Sequence, residues 1–323
     1  MQTQRPLQRE PALTPIVPSV SRPSLAMELL RAMRPRQWTK NALIFLALVF
    51  SVNQYWTPAD LDATRVLVGR TMLAFLLFCA VSGAEYLIND LIDAPQDRQH
   101  PEKRHRPLAS GRLSPTLALV SAGILASGSI LGGLMLQGAF GLFVLTYFVL
   151  MLAYSLVLKH VVIIDVFVIA MGFVLRTVAG AVVISVPISP WLYLCAVLGA
   201  LFIGFTKRRQ ELLELGDQAG NHRKILDEYS PALLDQMISV VTPSTVIAYS
   251  LYTFSAEGLP RNHAMMVTIP FVLYGVFRYL YLVHMKNLGS SPEEVLLTDR
   301  PLLVDILLWL AVSGGVLVFF RGI

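Results

Sequence analysis

Residues 72–97 read MLAFLLFCAVSGAEYLINDLIDAPQD, and the stretch changes character halfway along. Its first half is apolar enough to sit in lipid. Its second half places Glu85, Asp90, Asp93 and Asp97 at the exit, and a block of cations follows in RQHPEKRHRP at 98–107. A carboxylate in an apolar phase is expensive unless an opposite charge meets it. Glu85, Asn89, Asp93 and Asp97 recur at every fourth position, and Asp90 lies three before Asp93, so a helix gathers them into one oxygen-bearing stripe. Carboxylates and an amide carbonyl are hard ligands suited to Mg²⁺, which usually completes its shell with waters and substrate phosphates. The spacing therefore points to metal bound to a pyrophosphate. Ion pairing with Arg98, Lys103, Arg104 and Arg106 in a solvated loop is the alternative. It accounts for the mixed charge, but not for Asn89 and Asp90 reaching back into the apolar run.

Composition sets the same frame for the whole chain. Of 323 residues, 55% are hydrophobic and 15% charged, with mean hydropathy +0.61, whereas a soluble domain carries about 25% charged residues. The expectation is an all-α, polytopic membrane protein in one membrane domain. Residues 1–27 hold five prolines and no long apolar run, and read as a disordered cytoplasmic tail before a transmembrane catalytic domain at 28–323. Nine apolar stretches follow, near 41–56, 68–89, 115–135, 138–157, 161–183, 190–206, 236–256, 264–284 and 302–320; the first and sixth are the shortest.

Most Lys and Arg fall in the tail and in the second, fourth, sixth and eighth loops, leaving Arg65, Arg70, Arg261 and Arg321 on the other side. The positive-inside rule then puts the N-terminus in the cytoplasm, and nine spans put the C-terminus outside the plasma (inner) membrane. The polar loops all share the cytoplasmic face. The net charge of +5 is spread beside spans and not along one soluble face, which argues against nucleic acid as a partner. Cys79 and Cys195 lie in apolar runs and read as small hydrophobes.

Three further constellations face the same side. RPRQWTKN at 34–41 sets Arg34, Arg36, Lys40 and Asn41 at the start of the first span, with Trp38 at interface level. Tyr154, Lys159, His160, Asp165 and Arg176 follow, and Asp165 and Arg176 are three helical turns apart on one face. Arg176, deep in a span, must meet an anion or a carboxylate inside the bundle. Lys207, Arg208, Arg209 and Glu211 sit at the exit of the sixth span, and His222 in the next loop reads as structural.

Asn89-Asp90-x-x-Asp93-x-x-x-Asp97 resembles the signature of the UbiA family of intramembrane prenyltransferases. The resemblance implies a nine-helix bundle that binds a diphosphate through Mg²⁺ on the cytoplasmic side. Most members carry a second aspartate-rich motif where this chain has Lys207-Arg208-Arg209-Gln210-Glu211-Leu212. That departure favours a donor with an extra phosphate to neutralise. Together with YSLVLKH, LRTVAG and SPEEVLLTDR at 291–300, the set is similar to the decaprenyl-phosphate phosphoribosyltransferase branch of the family. The resemblance implies transfer of a 5-phosphoribosyl group from phosphoribosyl pyrophosphate to a polyprenyl phosphate, for cell-envelope arabinan precursors. The alternative is movement of a prenyl chain from a prenyl diphosphate to an aromatic or lipid acceptor.

On that reading Asn89, Asp90, Asp93 and Asp97 hold the metal, with the three aspartates as the catalytic set. Lys40 and Asn41 meet the acceptor phosphate, and Tyr154, Lys159, Lys207 and Arg208 the donor's 5-phosphate and ribose. Arg104, Asp165, Arg176 and Glu211 complete the substrate-binding candidates. Oligomeric state stays open, a homo-oligomer among the options.

Overall fold

The computed structural model describes residues 24–187, 189–215, 224–289 and 292–321, and these are all helix, turn and loop apart from a single bridge between Val52 and Trp56. A short amphipathic helix, α1 (Leu25–Ala32), starts inside the stretch read as tail. It is followed by a 3₁₀ segment, Pro35–Phe45, that runs into α2 (Leu46–Phe50). The long helices are α3 (Leu61–Asp97), α4 (Pro115–Leu136), α5 (Gly138–Leu156), α6 (Ile164–Val183), α7 (Pro190–Leu215), α8 (Pro231–Ser255) and α9 (Ile269–Lys286), and they are joined by α10 (Pro292–Thr298) and α11 (Arg300–Phe320).

Helix starts follow local chemistry. Asp60, Ser114, Ser230 and Asp299 accept from the first-turn amides of α3, α4, α8 and α11, and Pro115 and Pro231 open their helices, where a missing N–H loses nothing. Pro95 lies inside α3, two residues before its end, and cannot donate to the Leu91 carbonyl.

Among the described residues seven helices are long and apolar enough to cross a membrane, α9 counted with the turn before it. The chain is a multi-span integral membrane protein. Of the nine expected spans, the first takes another form. The 41–56 stretch is no membrane-length α-helix: it forms the end of the 3₁₀ segment, α2 and a turn. The 190–206 stretch lies in α7, whose C-terminal turns carry Lys207, Arg208 and Arg209. At about 2.0 Å per 3₁₀ residue and 1.5 Å per α residue, Pro35–Phe50 still reaches about 30 Å. The exposed Ile124, Met135, Leu142, Val240 and Phe277 are what a lipid-facing surface requires.

The core is organised around α6. Its apolar window is 67% buried, against 22–39% for the other six spans. On one side it packs on α7, where Val166 joins a cluster with Phe202, Phe205, Leu234 and Tyr279; on the other it meets α3, α5 and the 3₁₀ segment through Ile44, Phe78, Phe140 and Val144. Gly180 makes this second contact possible, since a Cβ there would lie 2.1 Å from the Ile44 carbonyl oxygen. Gly180→Ala should therefore force the 3₁₀ segment off α6, costing about 1–3 kcal/mol or more, and a lowered Tm of the detergent-solubilised protein is the measurement. Unchanged Tm would show that the two backbones are not held in contact.

Candidate active site

At about 1.5 Å per residue, α3 is about 55 Å long, well beyond a hydrocarbon core of about 30 Å. Its first half crosses while its last turns carry the acidic stripe onto the polar face. There each aspartate is met by a cation. Arg34, whose backbone adopts the left-handed region (φ 54°), reaches across to Asp90 and lies over the Tyr86 ring at 4.8 Å. Arg106 donates to Asp90 at 3.2 Å and to Asp97 at 2.6 Å, tying positions two turns apart. Lys159 donates to Asp93 at 2.7 Å, and Asn89 donates to the other oxygen of Asp93 at 3.0 Å while accepting from Ser155 at 3.2 Å. The pairing weighed in the sequence reading thus exists for Arg106. Arg98 instead donates to the Ala109 carbonyl, and Arg104 is exposed and turned to His105.

A second network lies behind this one. Asp165 at the start of α6 is fully buried and accepts from Arg208 at 2.6 Å and from the Tyr229 hydroxyl at 2.7 Å. The same hydroxyl accepts from the Ile163 amide at 2.7 Å, and Ile163 holds φ at 68°, a strained value for a β-branched residue, to make that bond. Burial, reinforced by the Asp165 carboxylate, pushes the Tyr229 phenol above its ordinary range and keeps it a donor. Arg208 is 2% exposed, and its other nitrogens go to Glu211 and to the Tyr154 hydroxyl, the latter at 3.3 Å.

A third network surrounds Arg176. The sequence placed it beside Asp165, but Asp165 is taken by Arg208. Arg176 instead donates to Asn41 Oδ1 at 2.7 Å, the Gly172 carbonyl at 2.8 Å and the Tyr147 hydroxyl at 2.7 Å, and stacks on the Tyr147 ring. The expectation is an anion or a carboxylate; among protein groups Arg176 meets hydrogen-bond acceptors and a π face. Asn41 is fully buried between Arg176 and the Cys79 sulfur, so it braces Arg176 and does not line the cavity. Asp165 and Glu211 likewise act on Arg208 and are absent from the wall.

These networks surround one cavity of about 860 Å³. Among the described residues its charged lining is Arg34, Lys40, Arg176, Lys207 and Arg208 against a single carboxylate, Glu85, with Asn89 and Tyr154 beside them; deeper in, Phe50, Tyr252 and Trp309 form an apolar wall. Such a space suits a ligand with phosphates at one end and hydrocarbon at the other. The sequence reading had Lys40, Tyr154, Lys207 and Arg208; it passed over Arg106 as an ordinary loop cation and gave Tyr147 and Ser155 no role. Arg34 was seen, but only as a phosphate grip or anchor. His222 lies outside the described residues.

Does the stripe fit a divalent cation? Its donors are hard oxygens, as Mg²⁺ requires. Among the described residues no three His, Cys, Asp or Glu side chains converge on one point, and Arg34, Arg106 and Lys159 occupy the aspartates. The fit is thus to an ion held by one or two carboxylates that shares a substrate's phosphates, the usual Mg²⁺ arrangement.

The all-helical membrane fold, with an acidic stripe at one end of a cation-lined cavity, defines an intramembrane enzyme acting on phosphorylated lipid-phase substrates. The chain matches the UbiA prenyltransferase family over residues 41–296 and belongs to it. It is 32% identical over 297 residues to "Decaprenyl-phosphate phosphoribosyltransferase" of Mycobacterium tuberculosis, covering 92% of this chain and 96% of that one. It is 34% identical over 321 residues to the protein of the same name from Corynebacterium glutamicum, covering 95% and 92%. Among solved structures it resembles a UbiA homolog from Archaeoglobus fulgidus bound to GPP and Mg²⁺, at 19% identity and TM-score 0.68, over 90% of this chain and 99% of that one.

The Asp165–Arg208 pair should be structural before it is anything else. Removing one member leaves the other charged and buried, so Arg208→Ala should destabilise by about 3–5 kcal/mol and Tyr229→Phe by about 1 kcal/mol. Thermal unfolding in detergent checks both, and a wild-type Tm for Arg208→Ala would mean that the pair is not buried as described.

Proposed function

We propose that this protein transfers a 5-phosphoribosyl group from phosphoribosyl pyrophosphate to a polyprenyl phosphate, decaprenyl phosphate in the relatives' name, releasing pyrophosphate. The observation that carries the reading is the cavity lined by five cations and one carboxylate, continuous with an apolar wall and adjacent to the aspartate stripe. The relatives named for this activity, matched along nearly the whole chain, support it.

In this scheme an oxygen of the acceptor phosphate attacks ribose C1, the C1–O bond to pyrophosphate breaks, and the electron pair leaves with pyrophosphate. The acceptor is already an anion, so no proton has to be removed. Asn89, Asp90, Asp93 and Asp97 would hold Mg²⁺, which supplies charge neutralisation on the leaving pyrophosphate. Arg34, Arg106 and Lys159, which neutralise the aspartates, would turn to pyrophosphate oxygens once those carboxylates were otherwise neutralised. Lys40 and Arg176 lie on the cavity wall for the acceptor phosphate, with Asn41 orienting Arg176. Lys207 and Tyr154 meet the donor's 5-phosphate, with Arg208 holding Tyr154.

The donor is water-soluble and the acceptor is not, so the polar end of the cavity must open to the cytoplasm and the apolar wall toward the bilayer. We place the N-terminus in the cytoplasm and the C-terminus outside, as the distribution of Lys and Arg requires.

Asp93→Ala should lower turnover of radiolabelled phosphoribosyl pyrophosphate with polyprenyl phosphate by orders of magnitude and leave Tm near wild type. Lys207→Ala should raise the donor KM roughly 10- to 150-fold, as for loss of a charge-assisted contact, with the acceptor KM unchanged. Wild-type activity in Asp93→Ala at saturating Mg²⁺, or in excess chelator, would sink the metal role. Transfer of label from a prenyl diphosphate, with none from phosphoribosyl pyrophosphate, would sink the donor.

A further inference from the structure

Glu85 is unlike every other acid near the cavity. Asp90, Asp93 and Asp97 each face a cation, and Asp165 has two donors. Glu85 is 6% exposed, lines the cavity, and neither of its oxygens has a hydrogen-bond partner. This holds although five cations line the same space, so the bundle has not turned any of them onto it. A buried acceptor left empty is unfavourable, and such groups persist where something other than the protein completes them.

What would complete it can be read from chemistry, resting on the proposed donor and acceptor. Phosphates and pyrophosphate are anions with acceptor oxygens, and a carboxylate repels them. Polyprenyl phosphate offers hydrocarbon and another anion. Of the two substrates only the ribose of the donor carries neutral O–H donors, the 2- and 3-hydroxyls, and two adjacent hydroxyls match the two oxygens of one carboxylate.

Position agrees. Glu85 and Asn89 are one turn apart on the same face of α3, with a rise of about 6 Å between them, so Glu85 lies one turn deeper than the start of the metal-binding stripe. A pyrophosphate anchored at Asn89 and Asp93 leaves its C1 substituent pointing along that face, and the hydroxyls sit within one sugar ring of C1. We infer that Glu85 accepts hydrogen bonds from the ribose 2- and 3-hydroxyls of the donor and is a specificity-determining residue that selects a ribosyl over a deoxyribosyl pyrophosphate.

The test compares kcat/KM for phosphoribosyl pyrophosphate with that for its 2-deoxy analogue, using the full-length protein in detergent with Mg²⁺ and polyprenyl phosphate. Wild type should prefer the ribosyl donor, and Glu85→Ala should reduce the preference roughly 10- to 100-fold by slowing the ribosyl donor while sparing the deoxy analogue. Glu85→Gln, which keeps shape and one acceptor oxygen, should fall between and covers the case in which the alanine variant does not fold. A merely structural Glu85 would slow both donors equally and leave the ratio untouched, which overturns the inference while the proposed reaction stands. A wild-type protein that turns over neither ribosyl nor deoxyribosyl donor but does consume a prenyl diphosphate overturns the proposed reaction, and the assignment of Glu85 with it.

Discussion

The pairing of Asp165 with Arg208 sets the hardest constraint in the molecule, because neither side chain has water to fall back on: they are 0% and 2% exposed. In a medium of low dielectric the pair survives only if geometry is good and the remaining donors and acceptors are satisfied. Tyr229 supplies the second donor to Asp165, and Glu211 and Tyr154 take the remaining guanidinium nitrogens. The requirement propagates outward. Tyr229 must sit at the foot of α6, so the turn before α8 is pinned there, and Ile163 accepts a left-handed backbone to place its amide on the same oxygen. Tyr154 is held at the cavity wall from behind. One buried charge pair thus orders parts of α5, α6, α7 and the loop before α8.

The same rule, applied at the other end of the cavity, yields a different solution. The stripe on α3 lies near the polar face, where Arg34, Arg106 and Lys159 are between 12% and 27% exposed. Partly solvated cations can exchange one anion for another at modest cost, whereas Arg208 cannot leave Asp165 without stranding it. The bundle therefore separates two kinds of charge: an inner set that fixes shape, and an outer set able to change partners when an anionic ligand arrives. The length of α3 makes this possible, since a helix confined to the bilayer would have left its aspartates in hydrocarbon.

The stripe and the membrane class were legible because both are local. Period-four spacing of Glu85, Asn89, Asp93 and Asp97 and the apolar run before them belong to one helix, and no knowledge of its neighbours is required. Pairings between helices were not legible. Arg34 and Asp90 are 56 positions apart, Asp165 and Arg208 are 43, and Asn41 and Arg176 are 135. Asp165 and Arg176 share a helix face by count, which suggested a shared purpose, but α5 and the 3₁₀ segment reach one and α7 the other. The first expected span also eluded the pattern: it follows a tight 3₁₀ path that starts at Pro35 and brings the Ile44 backbone against Gly180, where hydropathy alone suggests a plain helix.

The cations at 207–209 need closer reading than a count of charges allows. They stand where the resemblance implies a second acidic motif, and the simplest argument is that three positive charges replace negative ones to receive a more highly phosphorylated donor. In the structure the three diverge. Arg209 turns away to Asp235 at 2.5 Å, and Arg208 is neutralised from within by Asp165 and Glu211. Lys207 and Arg208 both reach the cavity wall, and Arg208 does so as part of a buried ion-paired network. The positive field that an additional phosphate would meet is therefore assembled from several helices, Lys207 on α7 with Lys40, Arg34 and Arg176 across the cavity, and not from the replaced motif by itself. An acid at position 207 or 208 would undo this in different ways. At 207 it would cancel the field locally; at 208 it would face Asp165 across a dry interior, and like charges there cannot both ionise. Arg208 and the buried Asp165 thus require each other.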